Sequence, residues 1–538
     1  MSESQTQAPP EHQSPGGFLG TIEKIGNKLP NPFWLFVILA GVVAVSSWLG
    51  SLAGLQATDP QSGEPIEVTN LLNAEGLSKM VTEAVTNFTS FPPLGVILAV
   101  MLGVAVAEQS GLLSALVRAM VARVSPKMLT FVVALTGVTG SVASDAIYVI
   151  LIPLGATAFH AVGRSPIVGA MVAFAASSAG FNASLILNIT DLLLAGISTS
   201  AAQIVDAEYE VNALANIFFV VPSAIVLSLI ITAVTEFFIV RKARELVDHD
   251  DLETQELDFS SSVPNASDDD EYDFSDDEEK LALHPLEAKG LKAAGAALVA
   301  FLIAFFALIF IPGSPFAGPD GVFMESPLIK AIAVPIALAF FLAGAVYGIV
   351  VGTVKEASDF PDFMAKGIET LLPMIVLFFM VAQFLAWFSW SNLGVYTAIK
   401  GSELLQAWDL PPVLMFAGLV LMVALLNLFI TSGSAQWALM APVVVPMLMY
   451  VSVAPEVAQM LFRIGDSPTN IITPMSPYFA LALTFLQRYY KRSGVGTLMS
   501  LSLPYSISML VGWFIFFVIW YLIGIPLGPG APMTYPAS

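Results

Sequence analysis

Apolar runs long enough to cross a bilayer recur along most of this chain, and they constrain it more than any other feature. They lie near residues 32–52, 92–117, 129–160, 166–199, 213–240, 290–312, 328–352, 371–395, 411–431, 435–453, 458–487 and 497–526. A hydrocarbon core about 30 Å thick takes about 20 apolar residues per helix. Composition agrees: 56% of the 538 residues are hydrophobic and only 12% are charged, against roughly a quarter in a soluble domain. So little polar surface cannot cover a water-soluble globule of this length. The expected fold is an all-α polytopic membrane protein.

Several runs are too long, or too interrupted by Gly, Ser, Asn, Asp and Pro, to be simple spans. Residues 129–160 and 411–453 read as containing re-entrant hairpins, and 166–199 and 458–487 as helices broken near mid-membrane. The interruptions repeat. Pro153 and Pro166 stand 13 residues apart, as do Pro442 and Pro455; Asn182 follows Pro166 by 16, and Asn470 follows Pro455 by 15. GSVASDAIYVILIP (140–153), with Asp145 at its predicted hairpin tip, stands opposite TSGSAQWALMAP (431–442). SSAGFNASL (177–185) stands opposite GDSPTNIITP (465–474), and FPPLGVILAV (91–100) more loosely opposite LLPMIVLFFM (371–380). Apolar composition gives no reason for polar and breaker residues to recur in order. Paired interruptions in two halves of opposite membrane orientation, an inverted repeat, point to a transporter's binding site.

The boundaries follow: a cytoplasmic N-terminal tail at 1–28, a first membrane half at 29–240, an acidic cytoplasmic linker at 241–288, a second membrane half at 289–527 and a C-terminal tail at 528–538. Of the 42 acidic and 21 basic residues, 16 acids and one Lys fall between Glu245 and Lys280. The formal charge of −21 therefore describes mostly one self-repelling, solvated tether. Nucleic acid is not an expected partner, because binding it needs a basic footprint. Cysteine is absent, which removes disulfides, thiolate catalysis and Cys-built metal sites. The basic flanks are Lys24 and Lys28, Arg118, Arg123 and Lys127, Arg241, Lys242 and Arg244, Lys289 and Lys292, and Arg488, Lys491 and Arg492. All fit on one side, which places the N-terminus in the cytoplasm of a bacterial inner membrane and the loop 55–90 outside.

Ionisable residues inside a membrane cost about 2.5–3.5 kcal/mol each on insertion scales and are functional candidates by default. Ser432, Gly433, Ser434, Gln436 and Trp437 sit where a hairpin tip is expected, and Trp437 is placed to stack on a ring. Arg463, Asp466, Ser467, Asn470 and Pro474 interrupt the next run. Arg463 and Asp466, three apart, share a helix face. Two readings stay open: a mutually neutralising ion pair, or Arg463 as a bidentate anchor for a substrate carboxylate with Asp466 on a cation or proton. Asp466 with Asn470 offers oxygens to a hard cation such as sodium. In the first half Ser177, Ser178, Asn182, Ser184, Asn188, Thr190 and Asp191 offer a similar set, Asp191 being its only carboxylate. Asn427 lies just before the second tip. No HExxH, GxSxG, Walker A or Rossmann glycine set occurs, so neither an enzyme nor an organic cofactor is expected, and an ion gradient would drive transport.

Four stretches carry a family resemblance: IEKIGNKLPNPFWLFVIL (22–39), GFNASLILNITDLLLAG (180–196), TSGSAQWALMAPVVVPM (431–447) and FRIGDSPTNIITPMSPYF (462–479). They resemble the AbgT, or p-aminobenzoyl-glutamate transporter, family across nearly the whole membrane portion, the last two most specifically. The long acidic linker departs from the usual pattern. The resemblance implies a homodimer whose protomer has about nine transmembrane helices and two re-entrant hairpins. It implies proton- or sodium-coupled transport of p-aminobenzoyl-glutamate, p-aminobenzoate or related folate-pathway aromatics, and sulfonamide export in some members. Family functional positions would fall on Asp191, Asn427, Ser434, Trp437, Arg463, Asp466, Asn470 and Pro474. The substrate group is then Ser432, Ser434, Gln436, Trp437, Arg463 and Pro474. The ion-coupling group is Asp191, Asn427, Asp466, Ser467, Asn470 and Asn182, with Asp191, Asp466 and Asn470 as sodium ligands. The alternatives are a sodium-coupled dicarboxylate symporter of related architecture, an ion channel and an intramembrane hydrolase.

Overall fold

A computed structural model of the chain describes residues 30–535, apart from 59, 61–62, 122–123, 144–145, 247–282, 312 and 320–321. The N-terminal tail, Asp145 and the acidic linker beyond residue 246 lie outside the described residues. The first half contains α1 (Pro32–Leu52), α2 (Pro92–Gln109), α3 (Leu112–Val121), α4 (Leu129–Thr139), α5 (Ala146–Ala161), α6 (Pro166–Ala179), α7 (Ile189–Ala202) and α8 (Ile217–Val234). α8 runs on through a π-helical turn into Val240–Leu246. The second half contains α9 (Pro285–Phe310), α10 (Ala333–Val351), α11 (Asp359–Trp390), α12 (Leu393–Trp408), α13 (Pro412–Asn427), α14 (Gly433–Met449), α15 (Pro455–Asp466), α16 (Pro477–Tyr489) and α17 (Val495–Ile523). A short antiparallel ladder, Gln56–Thr58 with Pro65–Glu67, lies between α1 and α2.

Among the described residues seven helices are long and apolar enough to span a membrane: α1, α2, α8 with its extension, α9, α10, α11 and α17. The others are shorter, and their boundaries follow the paired prolines. Pro166 and Pro455 each open a helix at its first position, where a missing N–H costs nothing. Pro153 and Pro442 each lie inside the helix before. Both broken stretches break as expected. α6 gives way to irregular chain before α7, and α15 passes into a 3₁₀ turn at Ser467–Ile472 before α16. Likewise α4 with α5, and α13 with α14, are short helices joined through the predicted tip regions.

The helices pack in two groups. α1, α2, α9, α10 and α11 contact one another through the pairs α2–α10, α9–α10, α2–α11 and α1–α11. The second group holds the broken segments, through α4–α6, α5–α6, α7–α14, α13–α15 and α8–α17, with the 3₁₀ turn against α6 and α17. α2 against α7 joins the two groups. Within the first group α2 and α10 cross backbone to backbone: a Cβ on Gly103 would lie 1.9 Å from the Ala337 carbonyl oxygen. Such crossings suit helices whose association in lipid depends on close packing. Gly103→Ala is therefore expected to destabilise the protein by about 1–3 kcal/mol through overpacking, read as a lower thermal midpoint in detergent. Gly95→Ala on the same helix, where a Cβ meets nothing within 4 Å, should leave that midpoint unchanged.

Candidate functional site

The broken stretches of the two halves meet each other. In the first half, Asn188 caps α7 and Asp191 answers it: the Asp191 N–H donates to Asn188 Oδ1 at 3.1 Å, and the Asn188 N–H donates to Asp191 Oδ2 at 2.9 Å. This reciprocal cap uses one carboxylate oxygen. The other, Oδ1, lies 2.6 Å from a guanidinium nitrogen of Arg463, with side-chain exposures of 6% and 1%. Arg463 also donates to the Asn182 carbonyl at 3.3 Å. Asn182 in turn donates through Nδ2 to Asp466 Oδ2 at 2.9 Å and through its backbone N–H to Ser467 Oγ at 3.2 Å. Of the two readings left open by spacing, the Arg463–Asp466 ion pair is not formed. Arg463 reaches across to α7, and the Asp466 side chain is held by Asn182.

Asn427, at the end of α13, donates to the Asp466 carbonyl at 2.6 Å and to Thr469 Oγ1 at 2.8 Å. Asn470 donates to the same carbonyl at 3.3 Å. Both bonds fall on one backbone acceptor, the Asp466 carbonyl at the end of α15, where helices leave carbonyls without helical partners. The tip ahead of α14 closes over the carboxylate. Ser432 caps α14 through the Ala435 N–H at 3.4 Å, and its hydroxyl lies 3.3 Å from that of Ser434. A Cβ on Gly433 would lie 2.9 Å from Asp466 Oδ2. Asp466 is fully buried and tethered, so it cannot yield cheaply. Gly433→Ala is expected to lower transport at least tenfold in reconstituted vesicles while leaving expression intact. Wild-type flux in that variant would mean the tip does not need to seat on Asp466.

Two members of the proposed substrate group are tied elsewhere in this conformation. Gln436 donates to the Val423 carbonyl on α13 at 2.9 Å. Trp437 is fully buried, its indole N–H on Ser198 Oγ at 2.9 Å and its ring 4.7 Å from that of Phe462. Pro474 lies half-buried just beyond the 3₁₀ turn.

What remains unpaired is chemically specific. Asn182 Oδ1, Asn427 Oδ1 and Asp466 Oδ1 are buried oxygens without a hydrogen-bond partner, and Arg463 Nε is a buried donor without an acceptor. Native structures leave few such atoms unsatisfied. The oxygens belong to residues already bonded to one another, and one carboxylate with neutral amide oxygens is the donor set of a hard monovalent cation. No group of three or more His, Cys, Asp and Glu that could hold a metal occurs among the described residues. Both Asp191 oxygens are engaged by Arg463 and Asn188, so the unpaired oxygens belong to Asp466 and the two asparagines bonded to it.

Residues passed over in the sequence also belong to this region. Ser198 on α7 and Gln459 on α15 are buried and bonded to each other at 2.8 Å. Glu456, Gln459, Arg463 and Asp466 recur at spacings of 3, 4 and 3, a polar stripe at helical period that would have found Gln459. Elsewhere among the described residues, Arg164 and Glu236 pair at 2.7 Å and share Thr130.

Known proteins match this chain over nearly its whole length. A protein of Escherichia coli (strain K12) described as "p-aminobenzoyl-glutamate transport protein" is 36% identical over 528 residues, 98% of this chain and 99% of that one. The crystal structure of the Alcanivorax borkumensis YdaH transporter, reported to have an unusual topology, superposes with a TM-score of 0.83 at 38% identity, covering 93% of this chain and all of that one. The structure of Neisseria gonorrhoeae MtrF, described as illuminating a class of antimetabolite efflux pumps, superposes with a TM-score of 0.85 at 41% identity, covering 96% and 100%. The family description "AbgT putative transporter family" matches residues 17–535, a span that takes in both broken stretches and the tip between them, so the chain belongs to the AbgT family of multi-pass membrane transporters.

Proposed function

We propose that this protein is an ion-coupled secondary transporter of p-aminobenzoyl-glutamate, p-aminobenzoate and related aromatic carboxylates, with sulfonamides among the compounds it exports. The observation that carries the reading is the buried cluster across the two halves, where an Arg463 donor and three oxygens stand unpaired beside the Asn182–Asp466 and Asp191–Arg463 contacts. Arg463 takes the substrate carboxylate, its planar fork matching one bidentately, while Asp191 holds the guanidinium in place. Asp466, Asn182, Asn427 and Asn470 take the coupling cation, sodium or a proton, and Ser467 orients Asn182. Ser432, Ser434, Gln436, Trp437 and Pro474 line the path, and Trp437 meets the ring once the α14 tip moves. The names borne by the Escherichia coli and Neisseria relatives support this substrate class.

The two helix groups suggest the motion. The group holding the broken segments moves as a unit against the group around α2 and α10, an elevator on a homodimeric scaffold in the bacterial inner membrane, with the N-terminus cytoplasmic. Direction follows the imposed gradients. The test is flux of labelled p-aminobenzoyl-glutamate in proteoliposomes under a sodium or a proton gradient, with Asp466→Ala as control. Gradient-driven flux that requires Asp466 supports the reading. Absence of flux under both gradients removes this substrate and brings forward a dicarboxylate, whose transport Trp437→Ala should spare.

A further inference from the structure

A chain of hydrogen bonds leaves Trp437 in one direction only. An indole N–H can only donate, so Ser198 Oγ accepts it at 2.9 Å. The single Ser198 hydroxyl proton then goes to Gln459 Oε1 at 2.8 Å. That fixes the Gln459 amide, whose Nε2 donates to Asn216 Oδ1 at 2.8 Å. Asn216 Nδ2 in turn donates to the backbone carbonyl of Glu456 at 3.0 Å. All five residues are buried. With one end restricted to donation, no member can turn without breaking the sequence, so the set of the Trp437 ring and the seating of the first turn of α15 are coupled.

The chain ends on the backbone of Glu456, a residue whose side chain is a buried carboxyl group held from another side. Glu456 is 1% exposed, and its oxygens lie 3.0 and 3.2 Å from the Tyr209 hydroxyl. Among the described residues no Lys, Arg or His forms an ion pair with it. It precedes the apolar run and lies in none of the spanning helices. The titratable groups around it belong to the connection between α7 and α8 and to the C-terminal segment. They are Tyr209, Asp206, which accepts from the Tyr535 hydroxyl at 3.2 Å, and Tyr535, whose ring stands 5.7 Å from that of Tyr209. Burial pushes the Glu456 carboxyl up to about 7, against the smaller opposing effect of the backbone and Tyr209 hydrogen bonds. Burial, and then the nearby Glu456 carboxyl, push the Tyr209 phenol up as well. The connection grips Glu456 twice, by Tyr209 on the side chain and by Asn216 on the backbone.

We propose that Glu456 is a proton-binding site separate from the Asp466 cluster, and that its proton holds Trp437 in the buried position through Asn216, Gln459 and Ser198. The proposal rests on the transport reading above and adds a positioning residue to it. While the carboxyl is neutral, the connection stays seated on α15. Loss of the proton to the aqueous phase leaves a buried carboxylate without a counter-ion, a costly arrangement that is relieved by admitting water. Opening there withdraws Asn216 from Gln459, and the Trp437 ring is freed to follow the α14 tip. Return of the proton reverses each step.

The sign of the pH dependence is fixed. The folded-state carboxyl titrates above its ordinary value, so the folded state holds the proton more tightly. Its stabilising effect is complete below the ordinary carboxylate range and is lost as pH rises through about 7. The experiment compares thermal midpoints of the purified protein between pH 5.5 and 8.5, and vesicle flux over the same range, for wild type, Glu456→Gln and Ser198→Ala. Wild type should lose midpoint as pH passes 7, and Glu456→Gln should not. Glu456→Gln should keep substrate affinity within twofold, lose at least tenfold in flux and show no pH dependence of the remainder. Ser198→Ala, which cuts the chain but keeps the carboxyl, should retain the midpoint shift and lose the pH dependence of flux. A Glu456→Gln protein with the wild-type midpoint shift or the wild-type pH profile overturns the proposal. If Glu456→Gln does not fold, Tyr209→Phe replaces it: loss of the hydroxyl donor must move the midpoint fall to higher pH, and an unmoved fall overturns the proposal. If wild type carries no p-aminobenzoyl-glutamate, the substrate reading fails, while the midpoint arm still decides the proton site.

Discussion

Arg463→Ala is expected to stop transport and to cost about 3–5 kcal/mol of stability, the range for removing one partner of a buried ion pair. The pair with Asp191 is 2.6 Å long and almost wholly out of solvent. Without the guanidinium, the Asp191 charge would be left with its cap on Asn188 as the partner that remains. Arg463→Lys keeps a charge but not the planar fork. It should recover much of the stability while flux stays at least tenfold low, with a raised KM for the carboxylate substrate. The decisive comparison is the double variant Arg463→Met with Asp191→Leu. Replacing both partners by apolar groups should restore the thermal midpoint most of the way and restore no flux. Midpoint losses that simply add in the double variant would mean that the two residues act independently, against the contact seen here.

Asp466→Asn should separate the cation from the fold. The amide is nearly isosteric, and its oxygen still accepts from Asn182, so the midpoint in the absence of the coupling ion should be close to wild type. The negative charge among the unpaired oxygens is gone. Gradient-driven flux should fall about 100-fold or more, since a neutral oxygen set holds a hard cation weakly. A ligand that binds only the folded state stabilises it by about 2.7 kcal/mol at 100 times its Kd. Sodium titration of the midpoint should therefore raise wild type and leave Asp466→Asn unmoved. If sodium moves neither protein while acid flux still needs Asp466, the coupling ion is a proton. A variant that keeps both its ion response and its flux would remove Asp466 from the coupling site.

The architecture was largely legible because prolines and polar residues inside apolar runs have few innocent explanations. Pro153 and Pro442, and Pro166 and Pro455, fall at corresponding places in their helices. Both stretches break where Asn182 and Asp466 stand. Asn182, Asp191, Arg463, Asp466, Ser467, Asn427 and Asn470 are all drawn together. Pairing across the halves was not legible. Spacing along one helix offered Arg463 a neighbour in Asp466, and nothing local announces that Asp191 on α7 arrives instead. Trp437 read as an open stacking platform because aromatic chemistry says nothing of which face is covered, and Phe462 with Ser198 covers it here. Glu456 was hidden by its place ahead of the apolar run, where an acid at a helix start is unremarkable.

The contact between Asn182 and Asp466 joins residues 284 positions apart, and this bears on how the chain is made. At roughly 5–20 residues per second of synthesis, about 15–60 seconds separate the appearance of Asn182 and Asp191 from that of their partners. Throughout that interval Asp191 has its cap on Asn188 but not its counter-ion Arg463, and Asn182 has neither Asp466 nor Ser467 to bind. Burying the Asp191 charge without its counter-ion is costly, so the stretch around α7 is expected to settle in the membrane only once the second half arrives. Burial of this stretch would be the last event of biogenesis, and a chain halted before residue 463 should be a preferred substrate for membrane quality control.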